Sequence, residues 1–163
     1  VAGRAAERLA DAGFEPGAVE QILQLVPIAT HNQRGRGTLL VGTNSDIDAE
    51  TLVDLVERSM SAPVFELLKR PDELYVVEHA HLQPRFVEDS VRHALRDALQ
   101  TLPQLDDRHF PLSRQVNFET IHVHDVIAER FGTVGELRGE LENGVPSGQQ
   151  TSLADWLASD ETS

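Results

Sequence analysis

The chain has 163 residues, with 27 acids against 14 bases, a formal net charge of −13 and 40% hydrophobic residues. That is enough chain for one domain with a real core, and so acidic a surface repels nucleic-acid phosphates and anionic lipid. No apolar run approaches the length needed to span a bilayer, residues 1–14 are amphipathic rather than signal-like, and the absence of cysteine removes disulfides, thiolate ligands and sulfur nucleophiles. We therefore expect a cytoplasmic protein with neither nucleic acid nor membrane as a partner. Lys69 is the only lysine among the bases. An acid-rich, lysine-poor surface fits a protein of high-salt surroundings, where screening removes most of the self-repulsion. The chain opens on Val1 rather than Met, as a processed product or an internal piece would.

In chain order, "RAAERLADA" (4–12) has helical spacing, with Gly13 as its stop. A second helix is expected from Pro16 to Leu25, with proline in its first turn and Pro27 beyond its end. "GTLLVGT" (37–43) reads as a strand. "SDIDAETLVDLVERSM" reads as a helix with acids in its favourable first turn. "APVFELLKR" is expected as a further short helix, and "ELYVVEHA" (73–80), with Tyr75, Val76 and Val77, as a short strand. "PRFVEDSVRHALRDALQTL" (84–102) carries the clearest helical stripe, including Val91, Ala94, Leu95 and Ala98. "FPLSRQVNFETIHVHD" (110–125) is the longest strand candidate, and Thr133 with Glu136 forms a capping box for a last helix. Residues 143–163 read as a disordered acidic tail, with "LADWLA" as a transient turn. The order implies an α+β fold, an antiparallel sheet with helices packed on one face.

Four places in the chain could carry chemistry. Along a strand through "ETIHVHD", His122 and His124 would share one face and Glu119 the other. Two imidazoles on one face suit a metal or a proton relay; a solvated polar face gives the same pattern. In "KRPDE", Lys69 and Arg70 offer donors to phosphate, while Asp72 and Glu73 could bind metal or cap a turn. Glu88 stands near the start of the long helix, either as an acid answering the helix dipole or as a carboxylate accepting paired N–H bonds from a purine or pterin edge. His31 in "ATHNQRGRG" would need partners from elsewhere to bind metal, and Arg34 and Arg36 beside it suit an anion. Glu78, His79, His81, His93 and His109 read as surface or structural residues.

Taken together, "ATHNQRGRGTL", "LLKRPDELYVVE", "PRFVEDSVR", "NFETIHVHD" and "AERFGTVGELRGEL" resemble, in order and spacing, the type IB GTP cyclohydrolases, and among them the archaeal MptA type. The resemblance covers residues 1–142 and lies with the C-terminal half of those longer proteins. It implies a tunnelling fold (T-fold) module, GTP as substrate, and self-association into a homo-oligomer, a tetramer in the family. The implied reaction is hydrolytic opening of the guanine imidazole ring with release of formate. Its product is a dihydroneopterin phosphate, cyclic in the archaeal type, on the way to methanopterin or a folate-type pterin. A divalent metal, Fe(II) or else Zn or Mn, would lower the pKa of the attacking water.

Position by position, the resemblance implies His31 as a metal ligand and Glu73 as a carboxylate on or near the metal. Glu88 matches the acid that anchors the guanine edge, and Glu119 and His122 match the pair that transfers protons. His124 is a weaker candidate for the same task. Arg34, Lys69 and Arg70 are our own assignment to the triphosphate, which needs local positive charge on so acidic a chain. The family's metal site also uses an upstream cysteine, and these 163 residues contain none. We therefore expect the chain alone to lack full activity. The alternative is a non-catalytic half, or a split-enzyme subunit, that binds purine or pterin and needs an N-terminal partner.

Overall fold

The computed structural model describes residues 2–26, 32–145 and 148–160. The chain divides into two units, Val1–Asn32 with Ser61–Pro84, and Gln33–Met60 with Arg85–Ser163.

In the first unit, α1 (Ala2–Asp11) and α2 (Pro16–Leu25) pack as a helical pair. The turn between them needs Gly13, whose φ of +89° lies in the left-handed region. Pro16 stands at the start of α2, where its missing N–H costs nothing. This unit also holds Arg70–Leu82, which is helical and is numbered α4 below.

The second unit contains the core. Strand β1 (Arg34–Gly42) pairs antiparallel with β2 (Phe110–Phe118), and β2 with β3 (Val126–Phe131), giving the sheet order β1-β2-β3. Helices α3 (Ala49–Ser59) and α5 (Val87–Thr101) lie on one face. The α5 stripe of Val91, Leu95, Ala98 and Leu99 meets Leu55 of α3, and Leu39, Val41 and Ala128 of the strands pack against this cluster. Residues spaced three and four apart on a helix thus meet residues spaced two apart on strands. Asp48 caps α3 by accepting from the Thr51 N–H at 3.1 Å.

Two glycines of β1 make room for side chains of α3 and β2. A Cβ at Gly37 would stand 2.6 Å from Cγ1 of Val56, and one at Gly35 would stand 2.4 Å from the Gln115 amide nitrogen. Gly35 and Gly37 pair with Asn117 and Gln115 of β2, so the bare backbone leaves room for the larger side chains of the neighbouring strand and helix.

Helix α6 (Val134–Asn143) has the expected capping box: the Thr133 hydroxyl accepts from the Glu136 N–H, and the Glu136 carboxylate from the Thr133 N–H. Gly144, with φ +67°, closes it in the left-handed conformation.

Four expectations are corrected. Residues 73–80 are not a strand but part of α4 (Arg70–Leu82). Pro71 opens the helix, Asp72 accepts from the Lys69 N–H at 2.9 Å, and Tyr75 stacks on His79 one turn later at 5.5 Å. Start signals and i,i+4 contact outweigh three residues of β preference. The short helix expected at 62–70 is absent: residues 62–69 are irregular and Arg70 begins α4. The strand expected over 110–125 ends at Phe118; residues 119–125 form a loop and the chain returns as β3. The alternation that placed Glu119 opposite His122 therefore does not apply. Finally, a helix, α7 (Leu153–Asp160), forms where a disordered tail was expected. Its Trp156 lies 5.6 Å from the Phe110 ring and donates from Nε1 to the Arg108 carbonyl at 2.7 Å.

Candidate functional site

The polar residues of the sheet's helix-covered face gather toward one end. Gln115, 3% exposed, donates from its amide to the Asn117 side-chain oxygen at 2.8 Å. Two residues further on, Glu119 leaves the strand with its carboxylate only 6% exposed. Gln33, just before β1, donates from Nε2 to Glu119 Oε1 at 2.7 Å. The loop turns back at once, because the Asp125 carboxylate accepts from the Glu119 N–H at 3.2 Å. This tie is local, so it sets the loop without help from distant packing.

The turn brings His122 onto the buried carboxylate. Nδ1 lies 2.7 Å from Glu119 Oε2, and the imidazole is 53% exposed. An ionised carboxylate can only accept, so this contact places the proton of a neutral ring on Nδ1 and turns Nε2 into the exchanging position. His124 stacks beside His122 with ring centroids 5.8 Å apart. A buried acid, an oriented imidazole and a second imidazole therefore meet within six residues of chain. Such a group can accept a proton, hold it and return it.

The other expected residues belong to other elements of the chain. Arg34 is exposed at the start of β1, on the opposite face of the strand from Gln33, and its neighbour Arg36 covers the Phe118 ring at 5.3 Å. Glu88 is exposed in the first turn of α5, where the helix dipole favours an acid. Lys69, Arg70 and Glu73 are exposed around the start of α4, in the first unit. His31 lies outside the described residues. Among the described residues, no group of three or more His, Cys, Asp or Glu side chains is disposed to hold a metal ion. By themselves they do not fit the metal centre that the resemblance implies.

Two contributors escaped the sequence reading. Gln33 was one letter in a donor-rich run; counting back by twos from Gly37 and Gly35 would have put it on the face of Gln115 and Asn117. Asp125 closes the loop, an Asx-type tie that the assumed long strand concealed. Away from this end, Asp106 is held below the ordinary carboxylate range by hydrogen bonds from the Arg108 side chain and backbone. His93 is held below the ordinary imidazole range by burial, then by Arg85 and Arg96.

Comparison with known proteins gives the arrangement a context. The family model described as type I GTP cyclohydrolase folE2 matches residues 14–128, a span that includes every candidate from His31 to His124. A protein named GTP cyclohydrolase MptA from Methanosarcina acetivorans is 44% identical over 140 residues, covering 85% of this chain and 44% of the relative. Its namesake in Methanothermobacter thermautotrophicus is 48% identical over 133 residues, covering 79% and 42%. The one in Methanocaldococcus jannaschii is 43% identical over 137 residues, covering 83% and 44%. The chain thus spans less than half the length of the curated relatives it matches. On the matched span and these identities, the chain belongs to the type I GTP cyclohydrolase family and is of its MptA type.

Proposed function

We propose that this chain forms part of a GTP cyclohydrolase that hydrolytically opens the guanine imidazole ring, releases formate and yields a dihydroneopterin phosphate for pterin synthesis. The observation that carries the reading is the buried Glu119 carboxylate set 2.7 Å from the half-exposed His122 imidazole, inside the span matched by the family. Ring opening adds one water to the imidazole carbon and breaks one C–N bond, leaving a formamide; a second water and cleavage of the second C–N bond release formate. In each round the attacking water must shed a proton and the leaving nitrogen must gain one. His122 takes and returns that proton at Nε2, while Glu119 holds Nδ1–H and balances the charge of the imidazolium. His124 lies close enough to relay it.

In this reading Glu88 anchors the guanine edge, and Arg34, Lys69 and Arg70 meet the triphosphate. A divalent metal, Fe(II) or else Zn or Mn, is assigned to His31 and Glu73 together with a cysteine from outside these residues. No step above depends on it. Residues 1–142 act as one T-fold module of a homo-oligomer, a tetramer. The sheet face opposite α3 and α5 supports association, since it exposes Leu40, Phe118 and Ile127. Sedimentation of a monomer at all concentrations would end that part of the proposal.

The 42–44% coverage of the relatives favours a refinement: activity needs the remaining half. The test is GTP turnover with Fe(II) under anaerobic conditions, followed by formate release and pterin fluorescence. We expect little from this chain alone and turnover once the N-terminal half of a relative is added. Silence from the assembled pair would overturn the function. Turnover by the chain alone at a relative's rate would overturn the need for the other half.

A further inference from the structure

We propose that Gln33 is a positioning residue for the proton-transfer pair, fixing the Glu119 carboxylate so that it holds His122 in one tautomer. The inference rests on the role proposed for Glu119 and His122. The two oxygens of Glu119 are divided between partners from different parts of the chain. Oε1 accepts from Gln33 Nε2 and Oε2 faces His122 Nδ1, each at 2.7 Å. The last torsion of a glutamate is soft, with no sharp staggered minimum. A donor on Oε1, arriving from 86 residues earlier in the chain, holds the carboxylate plane from the side away from His122.

The orientation of the amide follows from the same contact. A carboxylate offers no proton, so Gln33 must turn its NH2 group toward it. Its Oε1 then points away, buried and without a hydrogen-bond partner among the described residues. Buried acceptors are seldom left in that state. Gln33 is held by Glu119 at the expense of its own second bond, as expected where orientation of the carboxylate is what the residue supplies. A purely structural tie between β1 and the loop would not require the amide to face a charged group.

The test reads the His122 ring nitrogens by 15N NMR in the 163-residue chain at a pH where the ring is neutral. It uses no turnover, so it stands whether or not the pair catalyses the proposed reaction. Glu119→Gln sets the signature of a ring that has lost its carboxylate. We expect Nδ1–H to dominate in the parent chain and to fall to a minority form in Gln33→Met, which keeps the length but has no donor. In the Glu119→Gln background, Gln33→Met should add nothing. An unchanged tautomer in Gln33→Met, or a further shift in the double variant, would overturn the proposal. Should Gln33→Met disturb β1, visible as lost dispersion of its amide signals, Gln33→Ala is read by the same criterion.

Discussion

Where β1 finishes and β2 begins, the sheet is closed by aromatic rings. Phe110 is fully buried between Phe131 at 6.1 Å and Trp156 at 5.6 Å, and Trp156 rests on Gly42, where a Cβ would approach its ring to 2.6 Å. Where β1 begins and β2 finishes, the same sheet carries Gln33, Asn117 and Glu119 and opens onto a half-exposed histidine. The first end is apolar, interlocked and far from the proposed chemistry. The second has a buried charge that contributes little to packing. One sheet thus separates what holds it together from the chemistry proposed for it, and substitutions at the two ends should fail in different ways.

The largest expected effect is at the polar end. Glu119→Gln should lower turnover of the assembled enzyme by roughly 10²–10⁴-fold, the usual worth of general acid–base catalysis, while the melting temperature changes little. A stable variant with parental turnover would remove the pair from the mechanism. At the closed end the signs reverse. Phe110→Ala should cost about 3–5 kcal/mol of stability in denaturant unfolding, the range for a large buried aromatic, without altering the tautomer of His122. Trp156→Ala should cost less, about 2 kcal/mol, because the ring is only half-buried and falls below the range for a fully buried aromatic. Thr133→Ala removes the α6 cap and should cost about 1 kcal/mol. A loss at Thr133 as large as that at Phe110 would mean that α6 governs the closed end.

The smallest effect depends on pH. Burial pushes the Glu136 carboxyl up, but hydrogen bonds from the Thr151 hydroxyl and from the Thr133 and Thr151 backbone, with the Arg130 charge, more than offset it. Its pKa lies below the ordinary glutamate value. A depressed carboxyl stabilises the fold above its unfolded-state pKa, and that contribution is lost as pH falls through the folded-state value. The stability difference between the parent and Glu136→Gln should therefore be steady near neutrality and shrink in acid. A gap that widened in acid would contradict the assignment.

The signals easiest to read in the sequence were the local ones, wherever in the chain they lie. The α5 stripe, the Pro16 start and the Thr133 box are local patterns, and each appears where expected. Residues 73–80 misled because Tyr75, Val76 and Val77 favour a strand when read alone, whereas Pro71 and Asp72 upstream had already started a helix. The loop at 119–125 was hidden because alternation through "NFETIHVHD" continues unbroken on paper, and only the Asp125 bond to the Glu119 N–H interrupts it. Glu119 and His122 were singled out as a pair through resemblance to a family rather than through geometry. The assumed strand put them on opposite faces, and the turn brings them together. Trp156 was passed over because an amphipathic helix of eight residues carries little signal by itself. Its anchor is a glycine more than a hundred residues away.

The chain contains one tryptophan, and it is the residue that docks α7 over Gly42 and the Arg108 carbonyl. The intrinsic emission of the protein therefore reports from a single place, the junction of the C-terminal helix with the sheet. Release of α7 would carry that indole into water and shift its emission to the red before the sheet itself melts. An unlabelled sample could thus distinguish the unlatching of one helix from the unfolding of the domain.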